Sequence, residues 1–165
     1  MKKEIFYTLC SKVFDCLNSD EQLTLFLEGE NSQYFRFNDS KLRQSGIIED
    51  FNLTLSLYNN NKCLQSMTTI SADLDSSVRK IIKEIDILRL SLNATPPSDH
   101  IVFPDKFGSV EVNALGNLPE RDNILDSLMG IIDKNTLTGV WSSGKIFRGC
   151  CASNGTKHWF EKDSF

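Results

Sequence analysis

Apolar and polar positions alternate most regularly in the middle of the chain. Across 47–57, Phe51, Leu53, Leu55 and Leu57 fall on one side and Asn52, Thr54 and Ser56 on the other, the period of a half-buried strand. Asn59, Asn60 and Asn61 follow. Asparagine tolerates positive φ and bonds its own backbone, so a turn is expected there. Residues 63–70 read as the returning strand of a long ribbon, being rich in types that suit a pleated surface. Ahead of the ribbon, 34–37 is a short aromatic strand, joined to it by a polar crossing. Further upstream 22–28 alternates through Leu23, Leu25 and Leu27. A turn at 29–31 would make these first two strands a hairpin.

Elsewhere the period is helical. In 2–17 the residues Ile5, Phe6, Leu9, Val13, Phe14 and Leu17 form one stripe, stopped by Asn18-Ser19-Asp20. In 73–93 the stripe is Leu74, Val78, Ile81, Ile82, Ile85, Leu88 and Leu92, with Asp73 or Asp75 as the N-terminal cap. Its charged face (Arg79, Lys80, Lys83, Glu84, Asp86, Arg89) reads as a solvated surface. A third helix is expected over 120–134, with Ile124, Leu125, Leu128, Ile131 and Ile132 inward.

Between the last two helices lies a connector, 95–121, punctuated by Pro96, Pro97, Pro104, Gly108, Gly116 and Pro119, with a short edge strand over 110–112. A structureless link of that length is uncommon in a compact domain. It is expected to be either a functional flap or a docking arm. The tail reads as a three-strand meander, 137–142, 145–152 and 157–162, with turns at Ser143-Gly144 and Asn154-Gly155, the second expected to be type I′. A chain that stops at Phe165, just after a strand, leads to the expectation of a piece of something longer. Apolar surface around Trp141, Phe147, Trp159 and Phe160 would then face a second domain. The pattern as a whole predicts one α+β domain spanning 1–165, a mixed and largely antiparallel sheet packed by about three helices.

Composition narrows the function classes. An apolar content of 40% over 165 residues suits a globular core. A formal charge of −4 argues against a nucleic-acid backbone or an anionic membrane surface as partner. No apolar run approaches the roughly 18 residues of a membrane span. Five cysteines, an odd count without any CxxC, read as reduced thiols of a cytoplasmic protein.

Chemistry-bearing patterns are sparse. His100 and His158 have no second ligand at metal spacing, so no metal site can be drawn within this chain. Ser142-Ser143-Gly144-Lys145 lacks the first glycine and the following helix of a phosphate cradle. Cys150 and Cys151, neighbours on one strand, point to opposite faces. A cysteine nucleophile is the weakest of the readings considered. From the residues alone, no catalytic set emerges.

Two segments carry a resemblance. Arg36-Phe37-Asn38, followed by Gln44, resembles the arginine–phenylalanine–(small)–asparagine stretch and downstream glutamine of the TldD/PmbA family, once called modulators of DNA gyrase. Gly139, Ser143-Gly144 and Ser153-Asn154-Gly155 resemble that family's last N-domain strands and their turn. The resemblance implies a zinc metallopeptidase that degrades unfolded peptides and works as a homo- or heterodimer. Its zinc is held in a C-terminal catalytic domain by a histidine–glutamate helix absent here. This chain would then be the non-catalytic N-terminal domain, with no cofactor of its own. Its expected partners are the catalytic domain, a second family subunit and unfolded peptides, with no nucleic acid and no membrane. Arg36, Asn38 and Gln44 would be the substrate-binding residues; the alternative is that they support the turn and the sheet. A stand-alone peptide- or protein-binding module is the rival function.

Overall fold

The alternating leucines do form strands, and the strands are longer than their sequence punctuation suggests. In a computed structural model that describes residues 3–132 and 136–165, the order is α1 (Lys3–Phe14), β1 (Gln22–Asn38), β2 (Lys41–Asn59), β3 (Lys62–Thr69), α2 (Leu74–Ala94), β4 (Ser109–Ala114), α3 (Arg121–Ile132), β5 (Gly139–Ala152) and β6 (Lys157–Ser164). The six strands form one sheet in the order β3-β2-β1-β5-β6-β4. The sheet is mixed and mostly antiparallel, so the fold is α+β as expected.

Three expected breaks are continuous strand. Residues 29–31 are part of β1, not a turn. The alternation does change there, with buried positions at Gly29, Ser32 and Phe35, which mimics punctuation in the sequence. The polar crossing before 47 belongs to β2, and the reversal is a two-residue turn at Asp39-Ser40. Ser143-Gly144 is not a turn either, because β5 runs straight through it. A Cβ on Gly144 would lie 2.3 Å from the Asn31 carbonyl oxygen and from Ser32 Cα, so glycine is there to let two backbones approach. The tail is therefore two long strands, not a three-strand meander.

The chain clusters into two compact units. The first comprises Met1–Gly29, Phe51–Val112 and Arg148–Phe160; the second comprises Glu30–Asp50, Asn113–Phe147 and Glu161–Phe165.

In the first unit β2 and β3 pair antiparallel from Asn52↔Thr69 to Asn59↔Lys62. Asn60 and Asn61 close this ribbon at φ 48° and 58°, the type I′ signature. Leu23, Leu25, Leu27, Leu53, Leu55 and Leu57 are fully buried, as are Phe6, Leu9 and Val13 of α1 and Ile81 of α2. Asp73 caps α2, accepting from Ser76 N at 3.2 Å. α1 packs on α2, and α2 on β3. Glu21, whose side chain is 4% exposed, is clamped by Arg89 of α2 at 2.7 and 2.8 Å. The first part of the connector, 98–104, lies against this unit. Ser98 N donates to Asn61 O at 2.8 Å, Phe103 meets Tyr58 edge-on at 5.1 Å, and Asn154 Nδ2 donates to Pro104 O at 2.9 Å.

The β5–β6 turn is built differently from the expected type I′. Only Gly155 has positive φ, at 93°. Gly155 N donates to Ala152 O at 2.9 Å, and Ala152 N donates to Thr156 O at 3.0 Å. This is a type I turn followed by a left-handed glycine. Phe147 and Trp159 are buried, so the apolar surface expected around them is core. Trp159 lies against Phe6 of α1, with ring centres 6.1 Å apart, and β6 is not an edge strand, because β4 lies beyond it.

In the second unit Phe35, Phe37 and Ile124 are buried, with Leu125, Leu128, Ile132, Leu137 and Trp141 packed around them. Phe35 stacks on Trp141 at 5.8 Å, and the Arg121 guanidinium sits 5.5 Å from the Phe35 ring centre. Ile131, expected inward, is 48% exposed. The end of the expected third helix, Asp133 and Lys134, lies outside the described residues.

Candidate functional site: the β1–β2 hairpin

The three residues singled out by sequence all lie on the exposed part of one hairpin. Phe35 and Phe37 point into the small core, so strand alternation turns Arg36 and Asn38 to the opposite face, where both are exposed. Gln44 is exposed on the neighbouring strand β2.

The tip of this hairpin is strained and anchored. Asp39 and Ser40 have φ of 50° and 55°, a left-handed conformation that costs a non-glycine residue on the order of 1–3 kcal/mol. Three hydrogen bonds from residues 137 and 138 hold it. Ser40 N donates to Leu137 O at 2.9 Å, Leu137 N donates to Ser40 Oγ at 3.0 Å, and Asp39 N donates to Thr138 Oγ1 at 3.1 Å. Asn38 contributes its backbone here, its carbonyl accepting from Arg43 Nε at 3.3 Å.

Beyond the tip, β2 is exposed over its first ten residues. β3 ends at Thr69, opposite Asn52, so 41–50 has no strand on its outer side among the described residues. Every residue of 41–50 except Gly46 is exposed, including Leu42, Ile47 (68%) and Ile48. Gly46 has a local reason: a Cβ there would sit 2.8 Å from Tyr34 Cε1, so its absence lets the tyrosine ring lie across the strand. Such an edge offers a row of backbone donors and acceptors to another extended chain.

Other places offer less chemistry. Burial pushes the Cys10 thiol well above its usual range, with Cys151 beside it, and pushes Cys150 and Cys63 up as well. A raised thiol pKa means little thiolate, the reverse of an activated nucleophile. Among the described residues no three His, Cys, Asp or Glu side chains cluster as a metal site. A cleft of about 360 Å³ in the first unit is lined by Asn18, Asp20, Glu21, Asn59, Lys62 and Arg89. Its polar groups hold one another: Arg89 with Glu21, Asn59 Nδ2 with Asp20 at 2.9 Å, and Lys62 with the Leu92 carbonyl at 3.1 Å. The sequence reading missed the strained tip, the glycine under Tyr34 and the Glu21 clamp. The two adjacent small residues Ser45-Gly46 were the one available hint.

No family model matches this sequence, and no curated protein matches it. Solved structures do match. A Thermotoga maritima protein assigned as a modulator of DNA gyrase superposes with a TM-score of 0.63 at 10% identity, covering 96% of this chain and 37% of its own. TldE from Thermococcus kodakarensis gives 0.61 at 9% identity, with the same coverage. A Bacteroides thetaiotaomicron protein, also assigned as a modulator of DNA gyrase, gives 0.60 at 14%, covering 98% of this chain and 38% of its own. The fold is TldD/PmbA-like. At these identities the likeness is one of fold. The TldD/PmbA-like chain spans little more than a third of the length of each structure it matches. Among the described residues, no helix is long and apolar enough to cross a membrane.

Proposed function

We propose that this chain is the non-catalytic N-terminal domain of a TldD/PmbA-like zinc metallopeptidase, supporting peptide-substrate binding and subunit or domain assembly in the cytoplasm. The observation that carries this reading is the coverage: nearly all of this chain matches little more than a third of each relative. Two-thirds of such a protein is then available for catalysis. On this reading the zinc is held in that remainder. The part of this chain lies on the β1–β2 hairpin. There Arg36, Asn38 and Gln44 present a cation and two amides on a hairpin whose strand β2 has no neighbouring strand outside 41–50 among the described residues. Main-chain pairing is tolerant of sequence, which suits unfolded peptides.

The open edge of β2 also favours a second reading, a stand-alone module that binds extended peptide or protein segments. One experiment separates them. The native species carrying this chain is isolated from its own cells with an antibody to it. Zinc content is then measured, along with hydrolysis of an unfolded protein with and without chelator. Co-purifying, chelator-sensitive hydrolysis is expected, with KM raised when Arg36 or Asn38 is replaced by Ala. A zinc-free, inactive species that still binds extended peptides would establish the stand-alone module instead.

A further inference from the structure

Within the first unit, Gly149 of β5 sets how closely α1 approaches the sheet. A Cβ there would lie 2.5 Å from Phe6 Cε1 and 3.1 Å from Trp159 Cζ3, so its absence lets the helix settle directly on the strand. Cys10 follows Phe6 by four residues, one helical turn along the same face. Cys151 follows Gly149 by two residues, on the same face of β5. Each step advances about 6–7 Å, so a helix and a strand in contact at Phe6 and Gly149 can meet again at the two cysteines. They do meet there: the Cys10 and Cys151 thiols are in hydrogen-bonding contact. Both side chains are buried, at 1% and 0% exposure. Cys150, the neighbour on the strand, falls on the opposite face. A single buried thiol packs as a small hydrophobe. Two in contact, one from a helix and one from a strand, are also the two halves of a disulfide.

We propose that Cys10 and Cys151 are a peroxide-sensitive pair, reduced at rest and oxidised to a disulfide that staples α1 to β5. The oxidant is a hydroperoxide, of which hydrogen peroxide is the smallest. The thiolate of one cysteine attacks a peroxide oxygen. The O–O bond breaks, a sulfenic acid forms, and hydroxide leaves to take up the released proton as water. The second sulfur then attacks the sulfenic sulfur. An S–S bond forms, the S–O bond breaks, and a second water leaves. Two thiols are oxidised and one peroxide is reduced to two waters. Burial keeps the Cys10 thiol protonated and covered, so the pair reacts slowly and waits on local lifting of α1. That delay suits a bond made only under oxidising conditions in a chain whose thiols are otherwise free. The closed loop, from 10 to 151, takes in most of the chain, and cross-links that close long loops restrict the unfolded state most.

The test treats the folded full chain with hydrogen peroxide, blocks the remaining thiols with iodoacetamide in denaturant without reductant, and maps linked peptides by mass spectrometry. The peptide holding Cys10 should be joined to the one holding Cys151, with loss of two hydrogens, and dithiothreitol should separate them. Cys150 and Cys151 share a tryptic peptide, so Cys150→Ser identifies which of them is linked. In Cys16→Ser/Cys63→Ser/Cys150→Ser only the pair remains, and its two thiols should be lost together and regained together on reduction. The fragment ions of the parent's linked peptide give the same assignment if that variant folds poorly. The oxidised parent should melt at a higher temperature than the reduced one, and Cys10→Ala should lose both the link and the rise. Four outcomes overturn the proposal: both thiols surviving peroxide, Cys10 linked to Cys16, Cys63 or Cys150 instead, a link that forms only between chains or only after unfolding, or an oxidised chain that melts no higher. None of these readouts involves a peptide, a zinc ion or a catalytic domain, so their failure leaves the family reading untouched. Absence of a metallopeptidase, conversely, would leave the thiol pair intact.

Discussion

The two compact units are built from the same strands and differ in what covers them. Of the twelve largest fully buried side chains among the described residues, eleven lie in the first unit and one, Phe35, in the second. The first unit has two helices with four or more buried positions each; α3 of the second buries only Ile124. Burial of apolar area is the main favourable term in folding, at about 25 cal/mol per Å². The first unit is therefore the stable part, and the second is held by a small aromatic cluster and by hydrogen bonds at a strained turn. The candidate functional residues lie in the second. Loops and edges that bind are drawn from the low-stability end of a structure because they must remain available.

The largest expected effect breaks the first unit. Leu55 is 0% exposed among leucines of both strands. Leu55→Ala should cost about 3–4 kcal/mol, within the range for a buried leucine whose site cannot collapse. Ile124→Ala in the second unit should cost less, and should loosen Trp141 before the rest of the chain. Denaturant melts followed by circular dichroism and by tryptophan fluorescence would show coincident loss in the first variant and separated loss in the second.

The next effect tests the polar lock of the first unit. The Arg89 guanidinium, with help from Asn18, holds the Glu21 carboxyl below its usual range against the opposing effect of burial. A carboxyl lowered in the folded state stabilises above its unfolded pKa, and that stabilisation is lost as pH falls through the folded value. Stability should therefore fall on acidification through and below the ordinary carboxylate range. Arg89→Met should cost about 3 kcal/mol at neutral pH, as expected when one side of a buried pair is removed. It should also flatten that part of the pH profile. An unchanged slope in melts across acid pH would count against the lock.

Gly144 should give the smallest of these effects, confined to the second unit. Its missing Cβ faces backbone atoms of Asn31 and Ser32, which cannot rotate away. Gly144→Ala should cost about 1–3 kcal/mol by overpacking. Its neighbours in β1 should lose amide protection while Leu53, Leu55 and Leu57 keep theirs.

These comparisons also mark what the sequence makes legible. The helices and the ribbon are readable because their apolar periods are clean: Asp73 is the cap, and Asn60-Asn61 is the turn. The strand lengths are not, because β1, β2 and β5 are interrupted by polar or glycine residues that look like turns. Gly144 reads as a loop residue in one dimension and is a close-approach residue in three. The arginine–phenylalanine–asparagine stretch points to the exposed hairpin. That the outer edge of β2 stands open depends on where β3 stops, a tertiary fact with no local signal. The Glu21–Arg89 clamp joins residues far apart in sequence, so neither residue's surroundings announce it.

The central claim is that stability resides in the first unit while the edge of β2 in the second stays open. Native-state hydrogen exchange on the dilute chain tests it most directly. Amides of Leu53, Leu55 and Leu57 should exchange only through global unfolding, and those over 41–50 faster by orders of magnitude, through local opening or directly from the free edge. Equal protection across both stretches would contradict the account.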